Sequence, residues 1–179
     1  MKAKKLFKIG LLASISFFLF GCGVAHVKTE VQSSNMATYK NVIIENVKVY
    51  SNETAAKKNI ALQEKLKKWE LYSRTQLENH INSSKYTLLK SVSEDAEETL
   101  LLDLDVNVRY GNQALRWVIG FGAGKGGVDS VLTLKDAKND EIKYKAHADS
   151  DLSMGPAGGS IESVLKENIN ELIKQYNDV

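Results

Sequence analysis

Between Leu100 and Tyr110 the chain alternates in a way that few folds accommodate. Leu100, Leu102, Leu104, Val106, Val108 and Tyr110 share one parity, while Asp103, Asp105, Asn107 and Arg109 occupy the other. A period of two is the signature of a strand with one dry and one wet face. Such a strand belongs to an antiparallel or mixed sheet covered on one side, because a sheet buried on both faces reads as continuously apolar. The rest of the chain must therefore supply neighbouring strands and one layer to cover the dry face.

Two segments have the helical period needed for that layer. Leu62, Leu66, Trp69, Ser73, Leu77 and Ile81 recur at three and four, with Ser51, Asn52 and Thr54 as candidate caps before them. Ile161, Leu165, Ile169, Leu172 and Tyr176 form a second stripe, with Ser160 placed to cap it. Lys57, Lys58, Lys65, Lys67 and Lys68 are interleaved with Glu64 and Glu70, which suits a solvated helix surface and not a nucleic-acid patch. His80 falls beside the apolar stripe, as a packed or capping histidine would.

The β-branched run Val42–Tyr50 reads as a first strand, apolar on both parities, hence central or bulged. Lys85–Ser93 is a weaker strand. The acids of Glu94–Glu98 form a turn, lacking the spacing and central glycine of a calcium loop. Val128–Asp136 and Glu141–Asp149 form a hairpin about Ala137–Asp140, with Leu132, Leu134, Ile142, Tyr144, Ala146 and Ala148 inward and His147 outward. The order β-α-β-β-β-β-α gives an α+β fold, a predominantly antiparallel sheet with two packed helices.

Ahead of this domain lies a different kind of segment. Met1–Lys8 carries four lysines and no acid, Ile9–Phe20 is apolar, and Gly21 precedes the only cysteine, Cys22. The apolar run is too short for a bilayer span, which needs about 20 residues. A basic start, a short apolar core and a small residue before a lone cysteine describe a lipoprotein signal peptide. The expected organisation is a cleaved signal at 1–21, a lipidated Cys22 with a flexible tether over 22–40, and one α+β domain over 41–179. Without the signal, 20 basic residues face 22 acidic ones. The basicity of the whole chain is thus no argument for nucleic acid. Lipidation of Cys22 leaves no thiol for a disulfide, a metal site or a nucleophile.

The stretch Arg116–Gly127 is rich in glycine. Gly122, Gly124 and Gly127 satisfy G-x-G-x-x-G, but a strand and not a helix follows, so the dinucleotide mechanism fails. Lys125 is followed by Gly126, so a P-loop fails as well. Two readings remain: a packed loop leading into the hairpin, or a contact segment of Ile119, Gly120, Phe121, Gly122 and Gly124 whose bare backbone admits a close partner. The lipobox, Arg116, the segment Gly120–Gly126 and the following strand–turn–strand resemble lipoproteins grouped as domain of unknown function 4410. That resemblance covers roughly Lys40 to Tyr176. It implies an envelope lipoprotein with no established activity, and supplies no catalytic residues.

An enzyme needs a nucleophile–base or metal constellation. His80 and His147 are the folded part's only histidines, without H-E-x-x-H or G-x-S-x-G, and Asp149 and Asp151 fall at a strand end. The sequence thus points to no catalytic residue, metal or cofactor. It points to a membrane-anchored envelope lipoprotein, facing the periplasm from the outer membrane where the host has two membranes. Its role would be binding or assembly with another envelope protein or with itself, without nucleic acid. The alternative is a carrier or sensor of a small apolar or anionic ligand.

Overall fold

The alternating run is the backbone of the sheet. In the computed structural model, which describes residues 25–91, 98–111, 126–152 and 160–177, it is a strand whose Leu100, Leu102, Leu104, Val106 and Val108 are at most 1% exposed. The elements are β1 (His26–Gln32), β2 (Asn41–Tyr50), α1 (Thr54–Lys58), α2 (Ile60–Ser83), β3 (Thr87–Leu89), β4 (Thr99–Arg109), β5 (Gly127–Asp136), β6 (Ile142–Asp151) and α3 (Ile161–Asn177). A single 3-10 turn, Met36–Thr38, links β1 to β2.

The strands form one sheet in the order β1-β6-β5-β4-β2-β3. The pairings of β1 with β6, β6 with β5 and β5 with β4 are antiparallel, and β2 pairs in parallel with β4 and β3. The parallel pairs need a long crossover, which α1 and α2 supply between β2 and β3. This is the α+β, predominantly antiparallel architecture that the pattern implied.

Both long helices lie on one face. α2 packs on β2 and β3, and α3 on β5 and β6. Leu66, Trp69, Ser73, Leu77 and Ile81 are the buried stripe of α2, and Leu165, Ile169 and Leu172 anchor α3. They join the inward residues of the strands in a single apolar cluster. Each fully buried leucine or isoleucine there contributes about 1.5–3 kcal/mol relative to exposure. Under α3 the core also holds a polar knot. The Asn168 Nδ2 donates to Ser150 Oγ at 2.9 Å and to the Val128 carbonyl at 3.2 Å, and its Oδ1 accepts from Ser130 Oγ. All three side chains are buried and mutually satisfied, which is what makes their burial tolerable.

Four expectations need correction. The stretch expected as a flexible tether, residues 22–40, contains β1, whose backbone pairs with β6 from His26↔Asp149 to Gln32↔Tyr144. Met36 and Tyr39 from the same stretch are buried, and the Tyr39 hydroxyl donates to Asp136 at 2.6 Å. The domain thus begins near His26, not at 41. Of the strand expected over 85–93, the described part, up to residue 91, is a strand only over Thr87–Leu89, β3. The first helix breaks at Asn59, whose side chain caps α2 by accepting from the Leu62 N–H, a role the sequence reading gave to residues further upstream. Ile142 is 42% exposed instead of inward. The register shift between Leu134 and Lys135 explains it: Lys135 opposes Ile142 while Leu134 opposes Tyr144, leaving Lys143 as an extra residue. By contrast, the bulge anticipated in β2 is present, between Ile44 and Asn46.

Candidate functional site

The register of the three middle strands decides what gathers at one end of the face opposite the helices. Asn107 opposes Asp129, and Asp129 opposes Asp149. Arg109 opposes Gly127, which opposes Asp151. Three aspartates and one arginine are thereby placed around a glycine. The Arg109 Nε donates to Asp129 at 2.9 Å, and its Nη2 reaches Asp149 at 3.2 Å and Asp151 at 3.3 Å.

Gly127 is what allows the guanidinium to lie there. A Cβ on Gly127 would stand 2.6 Å from Arg109 Nη2 and 2.7 Å from the Ser150 carbonyl oxygen. The need is for space, not for an unusual backbone conformation. The Asp149 carboxyl titrates above its ordinary value, first because of its hydrogen bond with Asp129 and then because of burial, against the pull of Arg109. Burial alone would weaken the charged form of Arg109, yet its three carboxylates outweigh this and hold it more firmly protonated. The arrangement is an electrostatic clamp across three strands. Among the described residues no group of three or more His, Cys, Asp or Glu side chains is arranged to hold a metal ion.

Further along the same face, Lys135 donates to Asp103 at 2.6 Å, and Lys145 pairs with Glu30 at 2.8 Å. Asp103 is therefore not the freely solvated residue its outward parity suggested. His147 lies between Lys28 of β1 and Val131 of β5, outward as expected.

A second feature sits on the helix side of the same sheet end. A groove of about 540 Å³ runs between the first turns of α2 and α3. Leu62, Trp69, Tyr72, Tyr110 and Ile161 form its walls, and Lys65, Lys68 and Lys166 line its rim. The Trp69 and Tyr110 rings stack with centroids 6.4 Å apart. Lys166 lies over the Tyr72 ring, 5.5 Å from its centroid, while pairing with Glu162 at 2.7 Å. A groove of this size falls within the range of small-molecule sites.

His80 is packed, as its place beside the stripe implied. Its ring tilts against Tyr176 at 5.5 Å, and Tyr176 also stacks on Tyr86 at 5.7 Å. Burial favours the neutral imidazole and lowers the His80 pKa. Cys22 and the contact segment of Ile119, Gly120, Phe121, Gly122 and Gly124 lie outside the described residues. The Arg109 clamp escaped the sequence reading because its members look like ordinary outward charges until the register is known.

No protein-family model matches the chain, and no curated protein sequence matches it. Among solved structures, the fold is similar to the PelC dodecamer from Paraburkholderia phytofirmans, with a TM-score of 0.51 at 12% identity, covering 86% of this chain and 98% of that one. A neuraminyllactose-binding hemagglutinin homolog from Helicobacter pylori has a TM-score of 0.47 at 15% identity, covering 84% and 89%. The first likeness establishes a shared fold. Among the described residues, no helix is long and apolar enough to cross a membrane.

Proposed function

We propose that the chain is an envelope lipoprotein, held at a membrane by acylated Cys22, that acts without catalysis as a self-associating binding or assembly component. The observation that carries this reading is the one-sided sheet. Among the described residues, the face opposite the helices presents the Arg109 clamp and cross-strand ion pairs with no element packed over them. The fold it shares with a protein crystallised as a dodecamer supports self-association. The lipobox and the resemblance to domain of unknown function 4410 support placement in the envelope, at the outer membrane where there are two.

Two measurements test it. Cys22→Ser should yield an unprocessed precursor or a protein released from membranes, and normal processing with unchanged fractionation would refute the anchor. Native mass spectrometry of the detergent-extracted protein should show an oligomer that Asp149→Lys, on the face opposite the helices, dissociates. A monomer at all concentrations would refute assembly. A second reading, a carrier of a small apolar or anionic ligand, is favoured by the aromatic groove with its lysine rim. Reproducible thermal stabilisation by one chemical class, lost in Tyr72→Ala, would support it over assembly.

A further inference from the structure

The first described strand puts a limit on how far this domain can stand from its anchor. If Cys22 carries lipid, as proposed above, the chain from Cys22 to His26 spans four residues, at most about 14 Å when extended. The tether expected from the sequence would have been more than four times longer. His26 opposes Asp149, Asp149 opposes Asp129, Asp129 opposes Asn107, and Asn107 opposes Tyr50. That row crosses the sheet at one end, so one particular end of the domain is held against the bilayer.

The same end carries a concentration of positive charge on its helix side. α1 follows directly from the end of β2, and the Glu53 carboxylate beside it accepts from the Gly111 N–H at 3.0 Å, just beyond β4. Lys57 and Lys58 occupy the last turn of α1, and Lys65 and Lys68 lie on the rim of the groove next to Tyr110 and Ser160. All four lysines are exposed. Among the described residues none of them is within ion-pair distance of a carboxylate. The acids nearby are Glu53, Glu64 and Glu162, and Glu162 is held by Lys166. The aspartates of the clamp lie at this end too, but on the opposite face of the sheet and gathered on Arg109.

We infer that this end of the domain docks on anionic lipid headgroups through Lys57, Lys58, Lys65 and Lys68, so that the domain lies on the bilayer with its helix side leaning toward it. The anchor supplies proximity, and the lysines supply orientation. Each lysine near an anionic surface shifts the docked-to-undocked ratio about fivefold, an effect confined to within a Debye length.

The test uses the lipidated protein reconstituted in phosphatidylcholine vesicles, with or without a third of phosphatidylglycerol, containing a headgroup nitroxide lipid. With Cys22 acylated, a fluorophore can be placed at Asn52→Cys, at the docking end, or at Lys138→Cys, in the β5–β6 turn at the far end. Quenching at position 52 should exceed that at 138 at least threefold in anionic vesicles. The difference should shrink to its value in neutral vesicles at about 0.5 M salt, where the Debye length falls to about 4 Å. It should shrink equally when all four lysines are replaced by glutamine, while the protein still floats with the vesicles. Equal quenching at the two positions in protein that floats with the vesicles overturns the docking and leaves the anchor standing. Quenching at 52 that ignores lipid charge overturns the role of the lysines. Protein that does not float with either vesicle removes the anchor, and the docking with it.

Discussion

Gly127→Ala tests the clamp where it is least forgiving. The new Cβ would meet Arg109 Nη2 at 2.6 Å and the Ser150 carbonyl oxygen at 2.7 Å. The arginine tip can swing away, but Ser150, one rung from the end of the β5–β6 ladder, is held by its pairing with Val128, by the Asn168 bond to its hydroxyl and by the Leu152 N–H bond to the Gly126 carbonyl beyond it, so it cannot move alone. Overpacking against fixed backbone costs about 1–3 kcal/mol. Displacing the guanidinium adds the loss of its ion pairs. With Arg109 about one-third exposed and the aspartates 30–47% exposed, each pair is discounted for screening to a fraction of about 1 kcal/mol. The sum is about 2–4 kcal/mol, or about 4–16 °C in melting temperature for a domain of this size. Urea denaturation of Gly127→Ala, Arg109→Ala and the double variant supplies the assay. If the arginine carries part of the clash, the double variant loses less than the two single losses added together. A loss below about 0.5 kcal/mol in Gly127→Ala would show that β5 and β6 are not packed as described.

Asn168→Leu should cost about 2–4 kcal/mol in urea, because it strands the Ser130 and Ser150 hydroxyls in a dry core. Adding Ser130→Ala and Ser150→Ala should restore most of that loss, and no restoration would refute the knot. Leu104→Ala, at a position 1% exposed, should cost about 2–5 kcal/mol. Asp103→Ala should cost less, about 0.5–1 kcal/mol at low salt and little in high salt, through its pair with Lys135. Equal losses would mean that the strand is misassigned. The lowered pKa of His80, caused by burial, means that the unfolded chain binds this proton more readily than the folded one. Stability is therefore fully present above about pH 6.5 and declines as pH falls through the folded pKa. Chemical denaturation between pH 5 and 7.5, with endpoints set by that reference value, should show a slope that His80→Phe reduces. An unchanged slope would place His80 in solvent.

Most of the fold was readable because its strands alternate and its helices repeat. β4, the β5–β6 hairpin and α3 lie close to where their apolar parity puts them. β1 was not readable in the same way. Val27, Thr29 and Val31 do alternate with His26, Lys28 and Glu30, but Val31 remains 37% exposed, so little burial marks the pattern. Its place is set by backbone pairing with a partner far along the chain. The clamp comes from long-range register and the Tyr86–Tyr176 stack from long-range packing of the last helix. No local pattern announces that Arg109 will lie among Asp129, Asp149 and Asp151.

The position of β1 has a consequence for how the molecule is made. It is the first described strand to leave the ribosome, yet its partner β6 begins at Ile142. Closing so long a loop comes late, after the local hairpin of β5 and β6 has formed. Until then the future edge of the sheet is a loose thread ahead of the rest of the domain. Once in place it is paired, among the described strands, with β6 alone and has half-exposed side chains, so it should also be the first element to exchange its amide protons. Under tension from the amino terminus, β1 would peel from His26 inward, one rung at a time, while the core beneath the helices stayed shut.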